Sequence, residues 1–315
     1  MSMRVLKAGL QTTLQGVPFA GHRKIGMPAA GAADCLSLAL ANSLVGKPSG
    51  AVAIEITLTE AVFEIQEPCS IGVVGGAEFL RINDVVHPQH QTIDLLAGDK
   101  IHLGPSHQGT RTYLAVSAAI HADQVLDGQS AYLTAGLGGH HGRALQTEDI
   151  IAFTQAPSNQ RRNRSTPLHL RPHYSEDYML RVTPGPEADS PDAAVVEALC
   201  RSPYVIGARM NRMGLALEGD SLERETFSNM PSAAVFPGTI QLPESGQPYL
   251  LGPDAQTTGG YPRIAQVIRA DRHLIGQLSS GSKIRLVRVT AERATEIYRE
   301  KLSLLTPWLG QINFW

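Results

Sequence analysis

The chain has 315 residues, 43% hydrophobic and 18% charged, with a formal net charge of −2. That balance gives no basic field to attract nucleic acid or an anionic membrane surface, and the length calls for two domains or one large one rather than a single small core. Three cysteines, Cys35, Cys69 and Cys200, with no C-x-x-C pair, favour reduced thiols over a disulfide framework. No apolar run approaches the ~18 residues that span a bilayer and no signal-like stretch opens the chain, so a cytoplasmic protein is expected.

Val5-Leu6 is expected to begin a short strand, and Gly9 to Ala33 reads as a long irregular run rich in Gly, Pro and Thr. Asp34 is placed to cap a helix whose Leu36, Leu40 and Leu44 recur at four-residue spacing and bury one face, with Gly46 as its stop. Strand-like segments follow at 51–58, 61–66, 69–74, 92–96, 100–103, 112–117 and 149–153. The stretch around 158–171, with the basic cluster Arg161-Arg162-Asn163-Arg164, reads as a linker between residues 1–157 and 172–315.

Beyond the linker, strands are expected at 178–182, 214–218, 239–242, 247–251, 264–268 and 283–289. Ser190 and Pro191 are placed to start a short helix carrying Val195, Val196 and Leu199, and a last helix is expected from Ala291 to Leu305. Many short strands with glycine-rich turns and few helices predict a mainly β protein of barrel or sandwich type. One internal echo, Ala97-Gly98-Asp99-Lys100-Ile101-His102-Leu103 against Ser280-Gly281-Ser282-Lys283-Ile284-Arg285-Leu286, is what duplicated barrels would leave behind, and chance competes with it.

The densest chemistry lies in Gly252-Pro253-Asp254-Ala255-Gln256-Thr257-Thr258-Gly259-Gly260-Tyr261-Pro262-Arg263, a polar loop between two strands. A hairpin whose side chains only satisfy its own backbone is the plain alternative. Just before the 214–218 strand, Arg209 and Arg212 with Asn211 have the residue types of a carboxylate or phosphate clamp, with surface ion pairs as the competing reading. The turn Gly136-Leu137-Gly138-Gly139-His140-His141-Gly142-Arg143 is either an anion cradle or an ordinary loop. No Gly-x-x-x-x-Gly-Lys-[Ser/Thr] and no lysine flanked by methionines occurs. The histidine pairs His87/His90 and His169/His173 have no acidic or thiol partners nearby, so no metal site is expected. The cysteines fall among apolar residues and read as structural.

The runs Asn211-Arg212-Met213-Gly214, Pro237-Gly238-Thr239-Ile240-Gln241-Leu242-Pro243 and Asp254-Ala255-Gln256-Thr257-Thr258-Gly259-Gly260-Tyr261-Pro262 resemble the biotin-dependent carboxyltransferase family. That family includes the C subunit of the prokaryotic ATP-dependent 5-oxoprolinase, the carboxyltransferase domain of urea carboxylase and proteins labelled allophanate hydrolase subunit 2. Gly9-Leu10-Gln11-Thr12-Thr13-Leu14-Gln15, Ile54-Glu55-Ile56-Thr57-Leu58 and Gly138-Gly139-His140-His141-Gly142-Arg143 match further parts of its pattern in the expected order. One departure stands out: Gln15 is followed by Gly16-Val17-Pro18-Phe19 where the family reads Asp-x-Gly-Arg.

The resemblance implies two cyclophilin-like β-barrel domains. It also implies two partners, a kinase-inhibitor-like B subunit together with a lactam-utilisation-type A subunit. The function it implies is ATP-dependent opening of a small cyclic amide, 5-oxoproline, to glutamate, with ATP bound by the complex rather than by a motif in this chain. On that reading Asp254 is the expected acid/base and Gln256, Thr258 and Tyr261 orient the substrate. Asn211, Arg212, Gln241, Glu55 and Arg143 are the expected substrate-binding residues. Carboxyl transfer from carboxybiotin to a urea-like acceptor is the second reading, with biotin carried by another chain. A non-catalytic regulatory binder, suggested by the departure after Gln15, is the third.

Overall fold

The computed structural model describes residues 1–154, 164–187, 193–222 and 230–310. The expected linker residues 158–163, with Arg161-Arg162-Asn163, and the expected helix start at Ser190-Pro191 lie outside the described residues. The described chain divides into two compact units. Unit 1 takes Met1–Ala20, Ala30–Tyr174 and a C-terminal segment from Ser303; unit 2 takes Gly21–Ala29 and Ser175–Leu302.

Unit 1 holds strands β1 (Ser2–Lys7), β2 (Gln11–Gln15), β3 (Ala53–Thr57), β4 (Ala61–Ile65), β5 (Cys69–Gly75), β6 (Leu80–Ile82), β7 (Val85–His87), β8 (Thr92–Leu95), β9 (Lys100–Leu103), β10 (Arg111–Val116) and β11 (Ile150–Ala152). They form one sheet in the order β11-β1-β4-β9-β6-β7 and another in the order β2-β3-β10-β5-β8. Met3, Val5, Phe63 and Ile101 from the first sheet meet Leu14, Ile54, Ile71 and Leu114 from the second in one core. Burying each such side chain contributes roughly 1.5–3 kcal/mol.

Helix α1 (Cys35–Leu44) packs on β5 and β10. Asp34 caps it: Oδ1 accepts from the Ser37 amide at 2.9 Å. Gly46 stops it at φ 73°, donating its amide to the Ser43 carbonyl. Nine of its ten residues are buried, so more than the expected single face is covered. Gly72 makes this possible, since a Cβ there would lie 2.6 Å from the Ala41 carbonyl oxygen.

Unit 2 holds β12 (Asp177–Pro184), β13 (Tyr204–Asn211), β14 (Gly214–Glu218), β15 (Ala233–Ala234), β16 (Thr239–Gln241), β17 (Tyr249–Leu251), β18 (Thr258–Gly259), β19 (Arg263–Val267) and β20 (Lys283–Arg288). Seven of these close a barrel in the order β12-β19-β16-β17-β14-β13-β20 around Leu180, Ile206, Leu217, Ile240, Leu250, Ile264 and Leu286. Closure removes the unpaired edges that an open sheet would expose. Helix α2 (Ala193–Arg201) buries Val195, Val196 and Leu199, as the spacing predicts. Helix α3 runs Ala291–Leu309, one turn beyond the expected end, and passes through Pro307.

The molecule is mainly β with a few helices, as expected. The echoed segments both enter strands, β9 and β20, after turns in which Gly98 (φ 90°) and Gly281 (φ 88°) occupy the left-handed region. The run from Gly9 to Ala33 differs from expectation because it contains β2. Its Thr12 and Thr13 are β-branched and pair with Ile56 and Glu55 of β3. A strand buried on both faces by partly polar residues shows no alternation, and that hides it. Among the described residues no helix is long and apolar enough to cross a membrane.

Candidate functional site

Strands β13 and β14 are joined by a two-residue turn, Arg212-Met213. Asn211 holds that turn, its Oδ1 accepting from the amides of Met213 (2.8 Å) and Gly214 (3.2 Å). The polar loop after β17 docks onto the turn. The Gly252 amide donates to the Met213 carbonyl at 2.8 Å and the Asp254 amide to the Arg212 carbonyl at 2.9 Å. Gly252 is required for that approach, since a Cβ would fall 2.4 Å from the Arg212 carbonyl oxygen.

The side chains complete the junction. Arg212 Nε donates to Asp254 Oδ2 and Nη2 to Oδ1, both at 2.8 Å, a bidentate pair. Both residues are buried, with side chains 5% and 4% exposed. The sequence leads one to expect Arg212 to grip a substrate carboxylate and Asp254 to move a proton. Both oxygens of this carboxylate already accept from the guanidinium, so either role would first have to break a buried ion pair. The geometry makes the pair the clasp that fixes the loop.

Gln241 on β16 ties the far side of the loop. Its Nε2 donates to the Tyr261 carbonyl at 3.2 Å, and its Oε1 lies 3.5 Å from Gln256 Nε2. It is 2% exposed, a support rather than a presented group. Thr258 and Gly259 pair with Ala234 and Ala233. Arg263 Nε binds Glu187 Oε2 at 2.9 Å and its Nη1 the Ala234 carbonyl at 2.7 Å. Arg23 donates to the Val235 carbonyl and stacks its guanidinium 4.8 Å from the centre of the exposed Phe236 ring. What the loop leaves exposed is Gln256, Thr258 and Tyr261, the last with half its surface in solvent. Unit 2 therefore brings together Asn211, Arg212, Gln241, Asp254, Gln256, Thr258 and Tyr261. Sequence reasoning misses Arg23 and Glu187, whose partners are 76 or more positions away and leave no local signal.

The other two expected residues belong to unit 1, in separate networks. Glu55 sits on β3 between Thr13 of β2 and Tyr113 of β10. Its Oε2 accepts from the Tyr113 hydroxyl (2.7 Å) and the Ala33 amide (2.9 Å), and its Oε1 lies 3.4 Å from Arg111 Nε. Tyr113 in turn accepts from the Asp34 amide, and Asp34 binds Ser37. Burial, reinforced by the Glu55 and Asp34 charges, raises the Tyr113 phenol well above its ordinary range, which keeps it a donor. Glu55 is thus a buried anchor at the start of α1.

Arg143 binds Asp149 bidentately at 2.6 and 2.7 Å, and hydrogen bonding from that guanidinium lowers the Asp149 carboxyl to about 2. The glycine-rich turn around it is held by its own backbone and by Asp123. Four of its amides are spent on protein acceptors: Gly139 on Gln129, His141 on Asp123, Gly142 on Gly138 and Arg143 on His140. These contacts and the Arg143–Asp149 pair give the turn a fixed shape. Burial pushes the Cys69 thiol up to about 12, and Cys200 upward as well, in keeping with structural thiols.

The chain is 33% identical to the C subunit of 5-oxoprolinase from Escherichia coli over 299 residues, covering 95% of each chain. It is 29% identical to the corresponding 5-oxoprolinase C subunit from Haemophilus influenzae, covering 94% of each. The solved structure of the Kluyveromyces lactis urea carboxylase superposes with a TM-score of 0.91 at 25% identity, over 98% of this chain but only 29% of that one. The chain spans less than a third of that protein's length. Residues 25–288 match the model described as carboxyltransferase domain, subdomain A and B, and the chain belongs to that family.

Proposed function

We propose that the chain is the C-type component of an ATP-dependent 5-oxoprolinase, which opens 5-oxoproline to glutamate together with partner subunits. The observation that carries this reading is the end-to-end match to a 5-oxoprolinase C subunit, with 95% of both chains aligned. The reaction adds water across the lactam C–N bond: the carbonyl carbon becomes a carboxylate and the ring nitrogen leaves as an amine. An unstrained amide is a poor electrophile, so the reaction needs activation. We assign the ATP-using step to the assembly, whose other members are a lactam-utilisation-type A subunit plus a kinase-inhibitor-like B subunit.

Within this chain, Gln256, Thr258 and Tyr261 supply the amide and the hydroxyls that orient a small cyclic amide. The Arg212–Asp254 pair and Gln241 act as positioning residues that hold the loop in shape. Asn211 keeps its Nδ2 for substrate while its Oδ1 holds the turn, and Glu55 and Arg143 contribute through the order of unit 1.

Carboxyl transfer to a urea-like acceptor is the second reading, favoured by the 0.91 superposition on a urea carboxylase. Carboxybiotin would then arrive as a substrate on another chain. Co-expression with the two partner subunits and an assay of glutamate release from 5-oxoproline separates the readings. ATP-dependent release that needs this chain is the expected result. Carboxylation of urea with added biotin carboxylase and carrier, without glutamate release, would establish the second reading. A tight complex with neither activity would establish a regulatory binder.

A further inference from the structure

Unit 2 carries a second polar feature, which the loop chemistry does not use. A groove of about 950 Å³ opens between β13, the end of β14 and the segment 243–249. That volume is within the range of small-molecule sites. Its walls come from an irregularity in the strand pairing. Ile206 pairs with Leu217 and Met210 with Leu215, so three residues on β13 answer one, Ala216, on β14. The stretch Gly207 to Arg209 forms a bulge that turns Arg209 outward into the groove.

The opposite wall carries Glu218. Its carboxylate rests in the space that the missing side chain of Gly207 leaves free, with Oε1 2.3 Å from where a Cβ would stand. Gln247 fixes the rim, its amide group binding both the carbonyl (3.2 Å) and the amide (3.4 Å) of Gly219. Tyr249 lies over Gly214, whose Cβ would meet the ring at 2.4 Å. The groove therefore has fixed walls and two formal charges of opposite sign.

Those charges do not meet. Among the described residues neither Arg209 nor Glu218 makes an ion pair or a side-chain hydrogen bond, whereas Arg181, Arg212, Arg263 and Arg293 of the same unit each hold a carboxylate. A guanidinium and a carboxylate that line one groove and stay apart match a ligand bearing both charges. Arg209 offers a fork for a carboxylate and Glu218 accepts from an ammonium, and both line the groove. We propose that this groove binds a small α-amino acid, carboxylate on Arg209 and ammonium on Glu218. This assignment stands on the groove alone and does not depend on the reaction proposed above.

The purified 315-residue chain is to be tested against the common amino acids, one at a time at millimolar concentration, by calorimetry and NMR shift perturbation. Saturable binding of at least one is expected, with shifts on β13 and the 243–249 segment. Losing a charge-assisted hydrogen bond weakens binding by about tenfold or more, so Arg209→Gln and Glu218→Gln should each do so. Both residues are exposed, and unchanged melting temperatures would show that the variants are folded. The analogue of the best ligand that lacks its ammonium should bind wild type and Glu218→Gln alike. Absence of saturable binding by any amino acid, or variants that bind as wild type does, would overturn the proposal. A Glu218→Gln variant with unchanged affinity for the amino acid would overturn its ammonium half and so the ligand class.

Discussion

The Arg212–Asp254 pair sets the logic of the site at the level of single residues. Two charges taken out of water cost several kcal/mol each to desolvate, and the bidentate contact and backbone bonds around it offset that cost. Removing one partner leaves the other buried without its counter-charge. Arg212→Ala and Asp254→Ala should each destabilise the protein by about 3–5 kcal/mol, and the double variant by clearly less than their sum. Urea unfolding of the four proteins measures this, and strictly additive losses would mean the clasp is not one unit. A second residue-scale pair has a pH signature. The Arg143 guanidinium holds the Asp149 carboxyl down at about 2, below the ordinary value of about 3.9. A depressed carboxyl contributes stability above its unfolded value and loses it as pH falls through the folded one. Wild type should therefore lose stability between about pH 4 and about pH 2 more steeply than Arg143→Gln. Unfolding curves across that window check it, and equal slopes would contradict the pairing.

At the level of elements, the decisive contact is backbone against backbone. Gly252 leaves room for the loop to lie on the β13–β14 turn, and a methyl group there would sit 2.4 Å from the Arg212 carbonyl oxygen. Gly252→Ala should cost about 1–3 kcal/mol through displaced backbone. It should also lower the activity of the reconstituted enzyme while leaving the barrel's strand signal in circular dichroism intact. Loss of the strand signal would instead mean that this contact folds the barrel rather than shaping the loop. Such close approaches bear on what the sequence can reveal. Strands with alternating burial, such as Ala61–Ile65, and helices with a cap and a stop, such as α1, are legible because local periodicity encodes them. The loop is legible from its density of polar groups. What cannot be read is which polar group faces which. Arg212 and Asp254 look like two separate groups in sequence and are paired in the structure, because a pairing across 42 positions has no local signature. Strand β13 is hidden by its bulge, which breaks the alternation that identifies a strand. The β6–β7 hairpin does carry a local signal: Asn83 and Asp84 at φ 49° and 68° make the two-residue turn such hairpins prefer.

For the whole molecule, the decisive matter is assembly. The 5-oxoprolinase relatives that match end to end are named as subunits. A chain built to work in a complex should be stabilised by its partners, because anything that binds the folded state and not the unfolded one shifts the unfolding equilibrium by mass action. Partner present at a hundredfold excess over its dissociation constant adds about 2.7 kcal/mol. For a chain of this size that raises the melting temperature by several degrees, at roughly 2–4 °C per kcal/mol. Titrating the lactam-utilisation-type and kinase-inhibitor-like proteins into this chain and following its melting temperature should therefore give a rise that grows with partner concentration and saturates. Asp254→Ala, which removes the clasp without touching the surface, should lose intrinsic stability yet show the same partner-dependent increment. A melting temperature that ignores both partners at every concentration would place this chain outside the assembly, and the end-to-end likeness would then reflect shared fold and ancestry without shared work.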